Sequence, residues 1–174
     1  MAKTAFVTVG STKFDDLVTA FSREDVISSL QSKGYTRLNI QCGHSYASDS
    51  GTYPQLQDVR VIETGGLRIE QFRFKPSLEE DFRSADLVIS HAGSGTILEV
   101  LRMGKPLIVV PNSTLMDDHQ TELAVKLDQL GYLKASTVSD IARAIADFNA
   151  SEIVPFPGFT PERFSSLLNK EMGF

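Results

Sequence analysis

SHAGSGTILEVLRMGKPLIVVP, residues 90–111, decides how this chain is built. It closes an apolar run that begins at Leu87, turns through Gly93, Ser94 and Gly95, and resumes as an apolar stripe over Ile97–Met103. Gly104 stops that stripe, and Leu107–Val110 is a second run of strand length. Two short β-branched runs cannot be joined in parallel by a tight turn. A helix between them makes a crossover unit, and the periodicity predicts one.

The same rhythm extends outward in both directions. Ala5–Val9 is an apolar run closed by Gly10, Ser11 and Thr12. Ser22 reads as the N-cap of a helix with Val26, Ile27 and Leu30 on one side and Gly34 at its end. Leu38–Cys42 is the next strand, and the polar, turn-rich residues 44–58 read as a surface loop. Val59–Glu63 and Leu67–Phe72 flank Thr64-Gly65-Gly66, which fits either a hairpin or a turn between separate elements. Ser77-Leu78-Glu79-Glu80 is a capping box ahead of a short helix, and Leu87–Ser90 is a strand.

Beyond the central unit, Asp117 or Asp118 caps a helix carrying Leu123, Ala124, Leu127 and Leu130, ended by Gly131. Val138–Phe148 is another helix, with Ile141 and Ile145 four residues apart. After Val154-Pro155-Phe156-Pro157 a last helical piece, Glu162–Glu171, carries Phe164, Leu167 and Leu168 on one side. Near-continuously apolar strands alternating with helices predict an α/β fold, a doubly wound (Rossmann-like) parallel sheet covered on both faces.

A length of 174 residues suits one such domain with a sizeable core. The net charge of −5 argues against nucleic acid as a partner, since phosphate contacts call for a basic face. The single cysteine, Cys42, excludes an internal disulfide and reads as a buried, inert thiol at the end of an apolar run. No stretch approaches the roughly 18–20 apolar residues of a membrane span. His44, His91 and His119 are scattered and not at metal-ligand spacing, so no metal is implied.

In open α/β sheets ligands gather where strand ends lead into helix N-termini. Three loops here qualify: Gly10-Ser11-Thr12, His91 to Thr96, and Pro111 to Gln120. The second is the most informative, because Gly93, Ser94 and Gly95 let bare amides approach a ligand beside the positive end of a helix. That suits a phosphate or diphosphate. The spacing matches neither the dinucleotide fingerprint nor the P-loop, which argues against a dinucleotide oxidoreductase. Thr96-x-x-Glu99 also reads as a capping box, which needs no ligand.

These residues together resemble a known family. His91-Ala92-Gly93-Ser94-Gly95-Thr96, then Glu99, Gly104-Lys105-Pro106, Pro111 and His119-Gln120, are similar to the donor-binding, C-terminal half of two-domain nucleotide-sugar glycosyltransferases of the GT-B type. Within that superfamily, FVTVGSTKFDDL (6–17), GYTRLNIQCG (34–43), ADLVISHAGSGTILE (85–99) and KPLIVVPNSTLMDDHQTELA (105–124) resemble the small cytosolic subunit of the two-subunit UDP-N-acetylglucosamine transferase of asparagine-linked glycosylation. PFPGFTPERFSSLL near the end is similar as well. The resemblance runs through most of the chain to about Leu133.

The resemblance implies an inverting enzyme that moves GlcNAc from UDP-GlcNAc to GlcNAc-diphospho-dolichol. Gly10, Ser11 and Thr12 would line the diphosphate, with His91, Gly93, Ser94, Gly95 and Thr96 holding it from the second loop. Glu99 would accept hydrogen bonds from the ribose hydroxyls, and Phe74-Lys75 would meet the uracil largely through backbone groups. Asn112, His119 and Gln120 would face the sugar. The wider superfamily often has Asp immediately before the glutamine. Here His119 stands there, preceded by Asp117 and Asp118, both of which read more naturally as N-caps.

UDP-GlcNAc is thus expected as donor, with no cofactor. Residues 1–150 would form the nucleotide-sugar-binding domain, and residues 151–174 a C-terminal segment able to dock on a partner or cover its own sheet. A lipid-linked acceptor and an acceptor-binding half both point to a second, membrane-anchored subunit. That partner would recruit a cytoplasmic chain to the cytosolic face of the endoplasmic reticulum. The general base is His119 or a group on the partner. A different class of function, a UDP-sugar-binding regulatory module without turnover, would use the same residues.

Overall fold

Short apolar runs that helices must reconnect leave the chain few ways to bury both. A computed structural model describes residues 2–45, 59–115, 118–158 and positions 162, 165, 166, 169 and 170. Its strands are β1 (Lys3–Thr8), β2 (Tyr35–Gln41), β3 (Arg60–Thr64), β4 (Leu67–Phe72), β5 (Leu87–His91), β6 (Leu107–Val110) and β7 (Lys134–Ala135). Its helices are α1 (Asp15–Ala20), α2 (Glu24–Ser32), α3 (Glu79–Ser84), α4 (Ser94–Arg102), α5 (Asp118–Gln129) and α6 (Ile141–Asp147). One seven-stranded sheet has the order β3-β4-β2-β1-β5-β6-β7. Every pairing is parallel except β3 with β4.

The order matters for function. From β1 the chain winds outward through β2 to the β3–β4 hairpin, then returns to the far side of β1 and winds outward again from β5. The reversal lies between β1 and β5, which run side by side from Ala5↔Leu87 to Thr8↔Ser90. Loops leaving the carboxyl ends of these two strands diverge to opposite faces and open a crevice.

Alternation along the buried strands sends side chains into two cores. Ala5, Val7, Leu38, Ile40, Ile89 and Ile108 meet α1, α2 and α6 on one face. Phe6, Val88, Leu107 and Val109 meet α3, α4 and α5 on the other. Phe6 sits edge-on to Phe82 of α3, ring centroids 5.4 Å apart.

Several expectations are corrected. Of the two readings of Thr64-Gly65-Gly66 the hairpin is the one formed, with Gly65 at φ 54° and Gly66 at φ 84° as a two-residue turn of that hand requires. One edge strand is therefore antiparallel. Nor is the sheet covered throughout: Arg37, Arg68, Val61 and Glu63 share one face of β2, β4 and β3, and all are exposed. Ser22 caps nothing. Helix α2 starts two residues later behind Arg23, with Asp25 Oδ1 accepting the Val26 amide at 2.9 Å. Helix α6 begins at Ile141, after a turn. Helix α1 and strand β7 have no local signal in the sequence. Asp117, most of the 44–58 loop, and Phe164, Leu167 and Leu168 lie outside the described residues.

Gly104-Lys105-Pro106 earns its place mechanically. Gly104 takes φ 66° and its amide bonds Leu101 O, while the Lys105 amide bonds Val100 O, a Schellman closure of α4. The Lys105 ammonium then reaches Arg83 O and Ala85 O at the end of α3.

Candidate functional site

The floor of the crevice between β1 and β5 is one imidazole. His91, the last residue of β5, is 7% exposed. A Cβ built on Gly10 would stand 2.8 Å from its Cε1, and one built on Gly93 would overlap its Nε2. Gly10 belongs to the loop after β1 and Gly93 to the loop after β5. The ring therefore lies between the two loops, and both positions must be glycine for them to close on it. Burial pushes the His91 pKa below the ordinary imidazole value of 6.5, with the Thr8 backbone opposing. That backbone does not reach hydrogen-bonding geometry: Nδ1 is buried without a partner among the described residues. A neutral ring is the consistent state.

Helix α4 opens directly above. Its N-cap is Gly93 and no side chain caps it. Thr96 is the third helical residue and Glu99 the sixth, so the capping box suggested by Thr96-x-x-Glu99 is not formed. The amides of Ser94, Gly95 and Thr96 belong to the first turn, which has no acceptor within the helix. Ser94 and Gly95 are exposed, and Glu99 lies exposed about one turn further on.

The first loop is tightly held. Thr12 N and Oγ1 both turn back to Val9 O, at 3.2 and 2.7 Å. The Gly10 amide is taken by Gln41 Oε1 at 3.0 Å and Thr8 Oγ1 at 3.1 Å. Buried Ser45 accepts the Phe14 amide at 2.7 Å. Of the three predicted diphosphate residues in this loop, Ser11 is exposed, and its amide has no hydrogen-bond acceptor among the described residues. Gly10 serves by letting the chain turn at φ 61° and come close to His91.

The remaining predicted residues separate into two groups. Phe74 and Lys75 follow β4 on the β2 side of the crevice. Phe74 stacks edge-on to His44, centroids 5.0 Å apart, and the Lys75 ammonium binds buried Asp81 at 2.7 and 3.0 Å. That leaves this strap its backbone groups for a ligand. On the β6 side, Asn112 is 7% exposed and its amide is engaged. Oδ1 accepts from Thr114 N and Oγ1 at 3.1 and 2.7 Å, and Nδ2 donates to Lys13 O at 3.4 Å. It ties the third loop to the first. His119 and Gln120 lie in the first turn of α5, with His119 exposed and its Nδ1 3.9 Å from Glu122.

Sequence reasoning missed Gln41, Ser45 and Thr8, the buried groups that set the first loop. Gln41 is signalled only by a polar residue inside the apolar run LNIQC. A groove of about 1260 Å³ lies elsewhere, at the β7 edge between α1, α5 and α6. None of the predicted donor residues lines it. Cys42 is 4% exposed, and burial pushes its thiol up to about 11. Among the described residues no group of three His, Cys, Asp or Glu side chains is placed to hold a metal, and no helix is long and apolar enough to cross a membrane.

Comparison with known proteins adds an independent line. Residues 4–157 match the family described as glycosyltransferase family 28 C-terminal domain. The chain is 45% identical over 131 residues to the human UDP-N-acetylglucosamine transferase subunit ALG13, covering 75% of this chain but 11% of that protein. A relative of the same name from Cryptococcus neoformans is 36% identical over 98% of this chain and 97% of its own. The NMR solution structure of ALG13 superposes with a TM-score of 0.73 at 31% identity, covering 96% of this chain and 95% of that one. The arrangement of sheet and helices is that of the C-terminal halves of GT-B glycosyltransferases.

Proposed function

The chain belongs to the glycosyltransferase family 28 C-terminal domain family, and on that premise we propose that it is the donor-binding, catalytic subunit of a two-subunit N-acetylglucosaminyltransferase. The donor is UDP-GlcNAc and the acceptor GlcNAc-diphospho-dolichol. The observation that carries this is the crevice at the sheet reversal. The uncapped start of α4 and the loop that holds Ser11 both flank the buried His91 ring there, where an anion is favoured and no fixed positive side chain is needed.

Inverting transfer requires that charge growing on the leaving diphosphate be stabilised. The α4 amides of Ser94, Gly95 and Thr96 and the Ser11 amide do this, and they are held in place before the reaction begins. Exposed Glu99, about one turn beyond them, accepts hydrogen bonds from the ribose hydroxyls in this reading. The backbone of the Phe74-Lys75 strap, fixed by the Lys75–Asp81 pair, meets the base. His119 and Gln120, at the mouth of α5, face the sugar. Asn112 supports that loop from below. Deprotonation of the acceptor hydroxyl falls to His119 or to a group on the partner.

The relatives are named as subunits, which supports a second subunit; in this reading that partner is membrane-anchored and carries the acceptor site. That partner would hold this chain at the cytosolic face of the endoplasmic reticulum, with residues 151–174 as the docking segment. The test is transfer from UDP-GlcNAc to a short lipid-diphosphate-GlcNAc, assayed with the chain alone and with a membrane fraction carrying the partner. Transfer only in the second case, with inversion at the anomeric carbon, is expected. Robust transfer by the chain alone would refute the half-enzyme, and absence of UDP binding would refute the donor role.

A further inference from the structure

We propose that Gln41 is a positioning residue that locks the phosphate side of the donor crevice to its base side. The inference rests on the donor-binding reading above and adds a residue to it.

Gln41 is the last residue of β2 and is 1% exposed. Its carboxamide uses its full hydrogen-bonding capacity. Oε1 accepts from Thr8 Oγ1 at 2.5 Å and from the Gly10 amide at 3.0 Å. Nε2 donates to Gly10 O at 2.9 Å and to Arg73 O at 2.8 Å. One side chain thus grips both ends of the Gly10 residue and ties it to the residue that opens the Phe74-Lys75 strap. The reverse amide orientation would set Oε1 against two carbonyl oxygens, so the network fixes a single arrangement.

No other amino acid supplies this. Glutamate keeps the acceptors but faces Gly10 O and Arg73 O with no proton. Methionine fills the volume and bonds nothing. Asparagine is one methylene short of a span that joins the ends of three strands. The Arg73 carbonyl also accepts from the Gly43 amide at 3.2 Å, and Arg73 Nε returns to Gly43 O at 3.2 Å, so the strap is anchored next to the clamp. The two half-sites are separate loops on separate strands, and Gln41 is where their backbones meet through one group. A ligand spanning both half-sites gains from having their separation set in advance, whereas a ligand touching one does not.

The test titrates the full chain by NMR with three probes: UDP, uridine and inorganic pyrophosphate. Wild type is compared with Gln41→Met and with Ile145→Ala, a destabilising change in α6 away from the crevice. Each titration is run well below the unfolding midpoint of the weaker variant. Gln41→Met is expected to weaken UDP about tenfold or more while changing uridine and pyrophosphate by less than about threefold. Ile145→Ala should leave all three unchanged. If Gln41→Met does not fold, Thr8→Val, which removes the hydroxyl orienting Oε1, should show the same selective loss at about threefold. Equal affinities for UDP in wild type and the folded variant, or equal losses for all three probes, would overturn the coupling while leaving the donor site standing. Failure of wild type to bind UDP would overturn the donor reading itself, and this one with it.

Discussion

Replacing Gly10 with alanine adds one methyl group where the backbone and a neighbouring ring both oppose it. At φ 61° an L-residue carries a steric cost of about 1–2 kcal/mol. The new Cβ would also stand 2.8 Å from His91 Cε1, and the ring cannot retreat because Gly93 closes its other edge. Overpacking of this kind costs about 1–3 kcal/mol, so the sum is about 2–5 kcal/mol. Gly34→Ala is the internal control: it has φ 83° with nothing within 4 Å of the added methyl, and should cost only the backbone part. Alanine restricts the unfolded chain equally in both variants, so that contribution cancels in the comparison. Urea unfolding of wild type, Gly10→Ala, His91→Ala and the double variant measures the ring contribution directly. In the His91→Ala background the Gly10→Ala cost should fall to that of Gly34→Ala, a coupling of about 1–3 kcal/mol. If Gly10→Ala costs the same with and without the imidazole, the ring does not lie between the loops as described.

Other outcomes follow from the same geometry. Glu99→Ala, at an exposed helix position, should change stability by less than about 0.5 kcal/mol yet weaken UDP about tenfold, read by denaturation and by calorimetry. His91 has a folded pKa below its unfolded value, so unfolded chains bind the proton more readily. Stability should be level above about pH 6.5 and decline as the pH falls toward the folded pKa, and His91→Gln should flatten that decline in urea midpoints. Cys42, buried and with its pKa pushed up to about 11, should resist a thiolate-specific reagent at pH 8 until urea unfolds the chain.

The sequence disclosed what depends on short-range pattern and hid what depends on distant partners. The run from Leu87 to Val110 announces a crossover because apolar period, Gly104 and the following strand all agree within one segment. Helix α1 is six residues long and lacks a local cap; the Phe14 amide ahead of it is accepted by Ser45, thirty-one positions away. Ser22 looks like a cap by residue type, but Arg23 and Asp25 form their own ion pair and Asp25 takes the Val26 amide, the third of the helix, instead. Strand β7 pairs through two residues only, too few for any periodicity. At the site, the glycines and His91 were legible because turn chemistry restricts the residue type. Gly10 is among the residues that the resemblance sets along the diphosphate, yet its amide turns inward because Gln41 and Thr8 claim it. Asn112 has the polarity of a ligand contact and the bonding of a bracket, and only its neighbours distinguish the two.

The two walls of the crevice are rooted in different halves of the interior. Val9, Phe14, Leu17 and Val18, which carry the first loop, pack with α2 and α6, whereas Ala92, Ile97, Val100 and Leu101 beneath α4 pack with α3 and α5. Damage to either half therefore reaches one wall before the other. Substitutions can accumulate on one side of the sheet, or be engineered there, while the opposite wall keeps its shape.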